Sequence, residues 1–369
     1  MDNPLDDLHT PTAPLGTGHV RKGQPLTRID GPAKVRGQAR YAAEFPAPDL
    51  AYGVVVNTAV AKGRITAIHL DAALAVEGVL DVLTHERRPS MRAARLFHKD
   101  MVAPGGKPFR PLYDDRVVYS GQPVALVVAT TFEAARLAAM LVRVDVEAEP
   151  HETSLRAHLD KGHPPKGLKF GFKPPPKEKG DASAAWHDAP FRIQATSYAE
   201  AQHHNPMELF ATTVVRDEKG RMVAHDKTQG SQNSRWYASH ALGIRKSRLT
   251  VRNAYVGGAF GSGLRPNYAL LLAVMASEHL DRSVRVVLSR QQMFTFGHRP
   301  ETWQQVRLSA DGEGRLQSIE HDAMTETSRS EDYTEVVVNW SGQLYACENI
   351  RLSHKLVDLD RYTPMDMRA

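Results

Sequence analysis

Val256-Gly257-Gly258-Ala259-Phe260-Gly261-Ser262-Gly263 is the stretch on which the reading of this chain turns. It follows Leu249 to Val256, which reads as a strand, and precedes Asn267 to Leu280, a long apolar run that reads as a helix. A strand–glycine–helix unit points unpaired backbone N–H groups at whatever lies ahead of the helix, and the helix dipole adds partial positive charge there. Pro266 fits a position just inside the helix start, where a missing N–H costs nothing. The order Gly258-x-x-Gly261-x-Gly263 is neither the Walker phosphate loop nor the dinucleotide fingerprint. On residue types alone, an anion site and a plain tight turn with positive-φ glycines stand even.

The surroundings of the loop read as α/β. Val214 to Asp226 is expected as a hairpin about the turn Asp217-Glu218-Lys219-Gly220, followed by a helix from Ser231 to Leu242 that stops at Gly243. A strand at Val284 to Leu288 and a second hairpin, Gln304 to Leu308 with Leu316 to Ala323, complete this part. Upstream, strands are expected at Tyr52–Val56, Ile65–Leu70, Val79–Leu83, Pro123–Ala129 and Val142–Val146. A short helix from Ala72 to Val76 ends before Gly78, and a longer one begins at Thr131 with Thr130 or Thr131 as its cap. Between the two parts, Pro164-Pro165, Pro174-Pro175-Pro176 and scattered lysines favour extended chain. The expected organisation is a disordered arm at 1–22, an α/β unit at 23–152, a Pro/Lys-rich linker at 153–190 and a second α/β domain at 191–369.

Composition narrows the function classes. The chain has 369 residues, 41% hydrophobic and 24% charged, which suits a soluble protein of two or three domains. No run approaches the roughly 18 apolar residues of a membrane span, and the acidic, Pro/Thr-rich N-terminus is not a secretory signal. Cys347 is the single cysteine, so an internal disulfide, a cysteine zinc site and an iron–sulfur cluster held by this chain alone are excluded, and a reducing compartment is the simple reading. A net charge of +5 without a basic stripe argues against nucleic acid.

Four further stretches could carry chemistry. Gln202-His203-His204-Asn205-Pro206-Met207-Glu208 lacks metal-ligand spacing, because adjacent histidines on a strand face opposite ways; a buried, hydrogen-bonded histidine is the expectation and no metal ligand is assigned. Thr228-Gln229 opens a polar turn, where Gln229 either sits in ordinary capping or donates to a ligand oxygen. Gly297-His298-Arg299-Pro300 reads as a loop at a pocket rim or a simple connection, and Arg368 as a site cation or a solvated end.

Taken in order, Gly31 to Tyr41, Ser120-Gly121-Gln122-Pro123-Val124-Ala125 with its Glu133-Ala134-Ala135 helix, Gln202 to Glu208, Thr228-Gln229, Val256 to Gly261 and Met367-Arg368-Ala369 resemble one family. It is the molybdenum hydroxylase large subunit of the aldehyde oxidase and xanthine dehydrogenase type, closest to its bacterial aldehyde-oxidising branch. The resemblance runs from about residue 22 to the end. It implies an α+β fold, an a/b hammerhead domain followed by the first molybdopterin-binding domain. It implies that Gly257, Gly258, Ala259, Phe260 and Gly261 hold molybdenum-molybdopterin, as such or as its cytosine dinucleotide. By the same resemblance Gln229 hydrogen-bonds an oxygen on the metal and Arg368 orients substrate. The implied reaction hydroxylates an aldehyde or N-heterocycle with water, and electrons leave through a 2Fe-2S subunit and an FAD subunit. Leu264 stands where xanthine-oxidising relatives carry a glutamate, which favours aldehydes. The general-base glutamate has no counterpart among these residues, so the expected partners include a C-terminal half of the same large subunit. The competing expectation is a truncated, non-catalytic product that binds only a pterin phosphate or a partner. The location implied is cytoplasmic, or periplasmic when carried by a signal-bearing partner.

Overall fold

The computed structural model describes residues 28–92, 105–165 and 177–368. The arm expected at 1–22 lies outside them, as does Ala369. The chain divides into two compact units, residues 1–40 and 41–369. In the first, α1 (Gly31–Val35) has proline in its first turn, and Lys34 pairs with Asp30.

In chain order the second unit contains β1 (Ala51–Asn57), β2 (Gly63–His69), α2 (Asp71–Leu74), β3 (Val79–Leu83), β4 (Gly105–Gly106), β5 (Arg116–Val117), β6 (Pro123–Ala129), α3 (Phe132–Leu141) and β7 (Arg143–Ala148). Next come α4 (Ala182–Asp188), β8 (Phe191–Ala199), β9 (Ala211–Arg216), β10 (Met222–Asp226), α5 (Ser231–Leu242), β11 (Leu249–Arg252), α6 (Tyr268–Leu280) and β12 (Val284–Val287). The last are β13 (Thr302–Ala310), β14 (Leu316–Ser328), β15 (Glu331–Asp332), α7 (Ser341–Leu344) and β16 (Ile350–Leu359).

One seven-stranded sheet, in the order β11-β10-β9-β12-β1-β6-β3, forms the spine. Every residue of β6 is buried: Leu126 and Val128 enter the main core, while Ala125 and Val127 enter a second cluster with Ala73, Val82 and Ala138. A strand covered on both faces reads as an unbroken apolar run, and this one does. α3 follows with Thr131 as N-cap, its hydroxyl accepting from the Ala134 N–H at 3.1 Å. The parallel pairing of β1 with β12, Ala51 opposite Val284, draws strands from both sides of the stretch 153–190 into this sheet. Within that stretch the described residues include a 3₁₀ segment, Arg156–Lys161, and α4, capped by Asp181. α6 is apolar on all sides and buried from Tyr268 to Ser277, as a helix inside a core must be.

A four-stranded sheet, β16-β14-β13-β8, lies beside the spine; β14 and β16 run parallel with Ile319 opposite Ile350 and Ser328 opposite Leu359. The expected hairpins β9–β10 and β13–β14 both form. β8 and β16 were not anticipated, although Phe191-Arg192-Ile193-Gln194 and Ile350-Arg351-Leu352-Ser353 both alternate.

Two expectations at the loop are corrected. The strand before it ends at Arg252 rather than Val256, and α6 starts at Tyr268, with Asn267 as its cap and Pro266 outside the helix. Asn267 satisfies α6 itself, its side chain accepting from the Leu270 N–H at 3.2 Å. Residues 264–267 therefore separate the glycines from the helix dipole, which decays within a turn. Any anion held by the loop is held by the loop's own N–H groups.

Candidate cofactor site at the glycine loop

The loop is fastened on three sides. Gly257 donates its N–H to Glu208 Oε2 at 2.6 Å, and the Glu208 N–H returns a bond to the Gly257 carbonyl at 3.2 Å. Gln229 Oε1 accepts from the N–H groups of Gly261 and Gly263, at 3.2 and 3.1 Å, while its own N–H donates to the Gly263 carbonyl at 2.8 Å. The Arg368 N–H donates to the Phe260 carbonyl at 2.8 Å, docking the segment 366–368 onto the loop.

Close packing explains the glycines. A Cβ on Gly261 (φ +108°) would lie 2.1 Å from the Asp366 carbonyl oxygen, and one on Gly257 would lie 2.8 Å from Glu208 Cβ. Phe260 holds a positive φ of 56° without being glycine, a conformation kept only where surrounding bonds impose it. Among the described residues, the N–H groups of Gly258, Ala259 and Phe260 have no hydrogen-bond partner. Three successive free N–H groups, with a glutamine amide whose oxygen is already engaged, make a cradle for acceptor atoms of a ligand.

The residues singled out from sequence thus meet. Of the five loop residues Gly261 bonds Gln229 directly, and Arg368 adjoins Phe260 through its backbone while its side chain is exposed. His204 is buried and meets the Asp366 carbonyl through Nε2 at 2.6 Å, so the expectation of a buried, hydrogen-bonded histidine holds for it. His203 faces the other way, into a cavity of about 670 Å³ that His298 and Phe294 also line. Burial pulls the His203 imidazole down to about 4, and His204 is lowered for the same reason. His298 is fixed at Nε2 by Glu326, 2.6 Å away.

Three contributors were given no individual role by the sequence reading. Arg299 donates to the carbonyls of Met367 and Arg368, at 3.1 and 2.8 Å, completing the dock of that segment. Glu208 ties back Gly257; its place in the quoted motif was the available signal. Lys227 is 1% exposed and lies with Nζ 4.0 Å from the centre of the Phe210 ring, without a hydrogen-bond acceptor. Its signal is the charged pair Asp226-Lys227 closing the apolar run of β10.

A backbone cradle clamped by a glutamine and a docked return segment, on an α+β frame, offers main-chain donors to the acceptor atoms of a ligand. The comparisons narrow the class. Residues 166–369 match the molybdopterin cofactor-binding domain, and residues 36–150 match the aldehyde oxidase and xanthine dehydrogenase a/b hammerhead domain. The aldehyde oxidoreductase molybdenum-binding subunit of Escherichia coli is 32% identical over 372 residues, covering 100% of this chain and 47% of that protein. The nicotinate dehydrogenase large molybdopterin subunit of Eubacterium barkeri is 24% identical over 351 residues, covering 93% of this chain and 80% of that one. The aldehyde oxidoreductase from Desulfovibrio gigas shares the fold, with a TM-score of 0.74 at 22% identity over 91% of this chain and 38% of its own. The chain belongs to the molybdenum hydroxylase family of aldehyde oxidases and xanthine dehydrogenases, and carries its hammerhead domain followed by its first molybdopterin-binding domain. It spans about half the length (47%) of the Escherichia coli relative.

Proposed function

We propose that this chain forms one side of the cofactor cage of a molybdenum hydroxylase that oxidises aldehydes, with N-heterocycles as the secondary class. The observation that carries this is the row of free N–H groups at Gly258, Ala259 and Phe260 beside Gln229. Molybdenum-molybdopterin, as such or as its cytosine dinucleotide, would supply the two-electron oxidation with water as oxygen source. Gly257 to Gly261 would receive the cofactor's acceptor atoms. Gln229, whose oxygen is engaged by the loop, keeps its amide hydrogens to donate forward. Arg368, exposed at the end of its docked segment, supplies positive charge to substrate oxygen. Leu264 offers the pocket no acid, which suits aldehydes better than purines.

The working assembly adds the rest of the large subunit, a 2Fe-2S subunit and an FAD subunit, in the cytoplasm or exported with a partner. The domain borders go with this reading: 23–152 for the hammerhead, 191–369 for the cofactor domain, with 153–190 between them. The test is to purify the chain together with the products of neighbouring genes, then measure molybdenum content and aldehyde-dependent dye reduction. Metal with aldehyde turnover supports the proposal. A fully assembled complex devoid of molybdenum overturns it.

A further inference from the structure

The cavity that His203 faces is used by none of the loop's contacts. At about 670 Å³ it has the size of a small-molecule site rather than of a packing defect. Rings make much of its wall: Phe294 and His298 stand 5.1 and 5.4 Å from the His203 ring, and Tyr119 meets Tyr362 at 5.1 Å. Two buried side chains on that wall leave a polar atom unpaired among the described residues. Tyr119, 2% exposed, has no partner for its hydroxyl. His298, 4% exposed, commits Nε2 to Glu326 at 2.6 Å, and its Nδ1 has no partner. Glu326 accepts, so Nε2 carries the hydrogen, and in the neutral imidazole Nδ1 keeps a lone pair. Buried polar groups without a protein partner are few, and they mark places where a ligand or water belongs. The charges on the wall are already matched. Arg361 pairs with Glu301 at 2.9 Å and with Glu326 at 2.7 Å. Asp360 pairs with Arg329 at 2.7 Å and accepts the Glu152 N–H at 2.8 Å. An anion entering here would meet the carboxylates of Glu301 and Asp360 beside an arginine already paired twice, whereas a neutral guest meets no such repulsion.

We propose that this cavity is a small-molecule site apart from the glycine loop, and that it takes a neutral aromatic compound bearing a hydroxyl group. The guest's ring lies among the rings of the wall, where aromatic pairs attract beyond the area they bury. Its hydroxyl donates to His298 Nδ1, the buried acceptor that the protein leaves unpaired. The inference does not depend on the cofactor reading, since no wall residue named above bonds the loop.

The full chain, purified with the subunits it assembles with, is titrated by calorimetry with three probes of one size: p-cresol, p-methylanisole and p-toluate. p-Cresol is neither an aldehyde nor an N-heterocycle, so turnover does not obscure its binding. It should saturate one site with a Kd of about 1 mM or tighter, within reach of a compound so small. p-Methylanisole lacks the O–H and should bind at least tenfold more weakly, the effect of one hydrogen bond. p-Toluate, the anion, should be weaker by at least the same factor. These comparisons leave the His298–Glu326 pair intact, so no misfolded variant enters them. Ala59→Trp then locates the site, because Ala59 is exposed yet lines the cavity. That variant should keep the wild-type melting temperature and lose p-cresol binding at least tenfold. Absence of saturable p-cresol binding would leave a water-filled cleft and overturn the proposal. Equal affinity for p-methylanisole or p-toluate would refute the assigned chemistry, and undiminished binding in Ala59→Trp would place the p-cresol elsewhere; either result also overturns it.

Discussion

Replacing Gly261 by alanine tests whether the loop and the segment 366–368 form one unit. The new Cβ would lie 2.1 Å from the Asp366 carbonyl oxygen and 2.8 Å from its carbon. Ordinary contact needs more than 3 Å, so the Asp366 backbone has to retreat by roughly 1 Å. At φ +108° an alanine also carries backbone strain of about 1–3 kcal/mol. The retreat pulls Arg368 off the Phe260 carbonyl, a bond of 2.8 Å worth about 1 kcal/mol net. Together these amount to about 2–4 kcal/mol against the docked segment, or roughly 30- to 1,000-fold in its population. The cost is local, because β6 and α6 are not touched. Hydrogen exchange of the Arg368 amide should accelerate by that factor while the protection of α6 stays constant, and molybdenum content of the assembled complex should fall with it. Unchanged protection at Arg368 would refute the claim that the two segments are coupled.

Gln229→Glu keeps the acceptor for Gly261 and Gly263 but removes the forward donor, so cofactor should be retained while turnover drops about 10²-fold; Gln229→Ala should lose the cofactor as well, and equal metal contents in the two variants would contradict this. Arg265 and Glu331 form a buried pair at 2.7 and 3.0 Å, with side chains 7% and 1% exposed. Arg265→Met should cost about 3–5 kcal/mol in a chemical denaturation curve, and adding Glu331→Leu should recover most of it. Asp226 is pushed up to about 7 by burial, above its unfolded value, so the folded state binds its proton more tightly. The stability it contributes is complete below about pH 4 and is lost as pH rises through 7. Asp226→Asn should flatten that decline in melting temperature, and an unaltered slope would exclude Asp226 as its source.

Much of the frame was legible because local rules and burial agree along it. β6 is an apolar run of strand length, α3 has its threonine cap, α5 stops at a left-handed Gly243, and β9–β10 turn on residues suited to a turn. Where the two disagree, the sequence misled. The run from Leu249 to Val256 continues to look strand-like past Arg252, yet β11 ends there, and the Asn253 side chain donates to the Thr228 carbonyl at 2.8 Å. β8 stayed hidden because it is an exposed edge strand, with no buried face to enforce a pattern of apolar residues.

By itself, the sequence determined the strands of the central sheet, the glycine loop and the family motifs, since these depend on residue type and short spacing. Tertiary structure alone decided that the loop is not served by a helix dipole, and that Asp366 to Arg368 returns to close on Gly261 across more than a hundred residues. It also decided that Glu208 stands against the loop, bonded to Gly257. Contacts of that kind depend on which distant backbone passes within 3 Å of which glycine, and no local propensity encodes that distance.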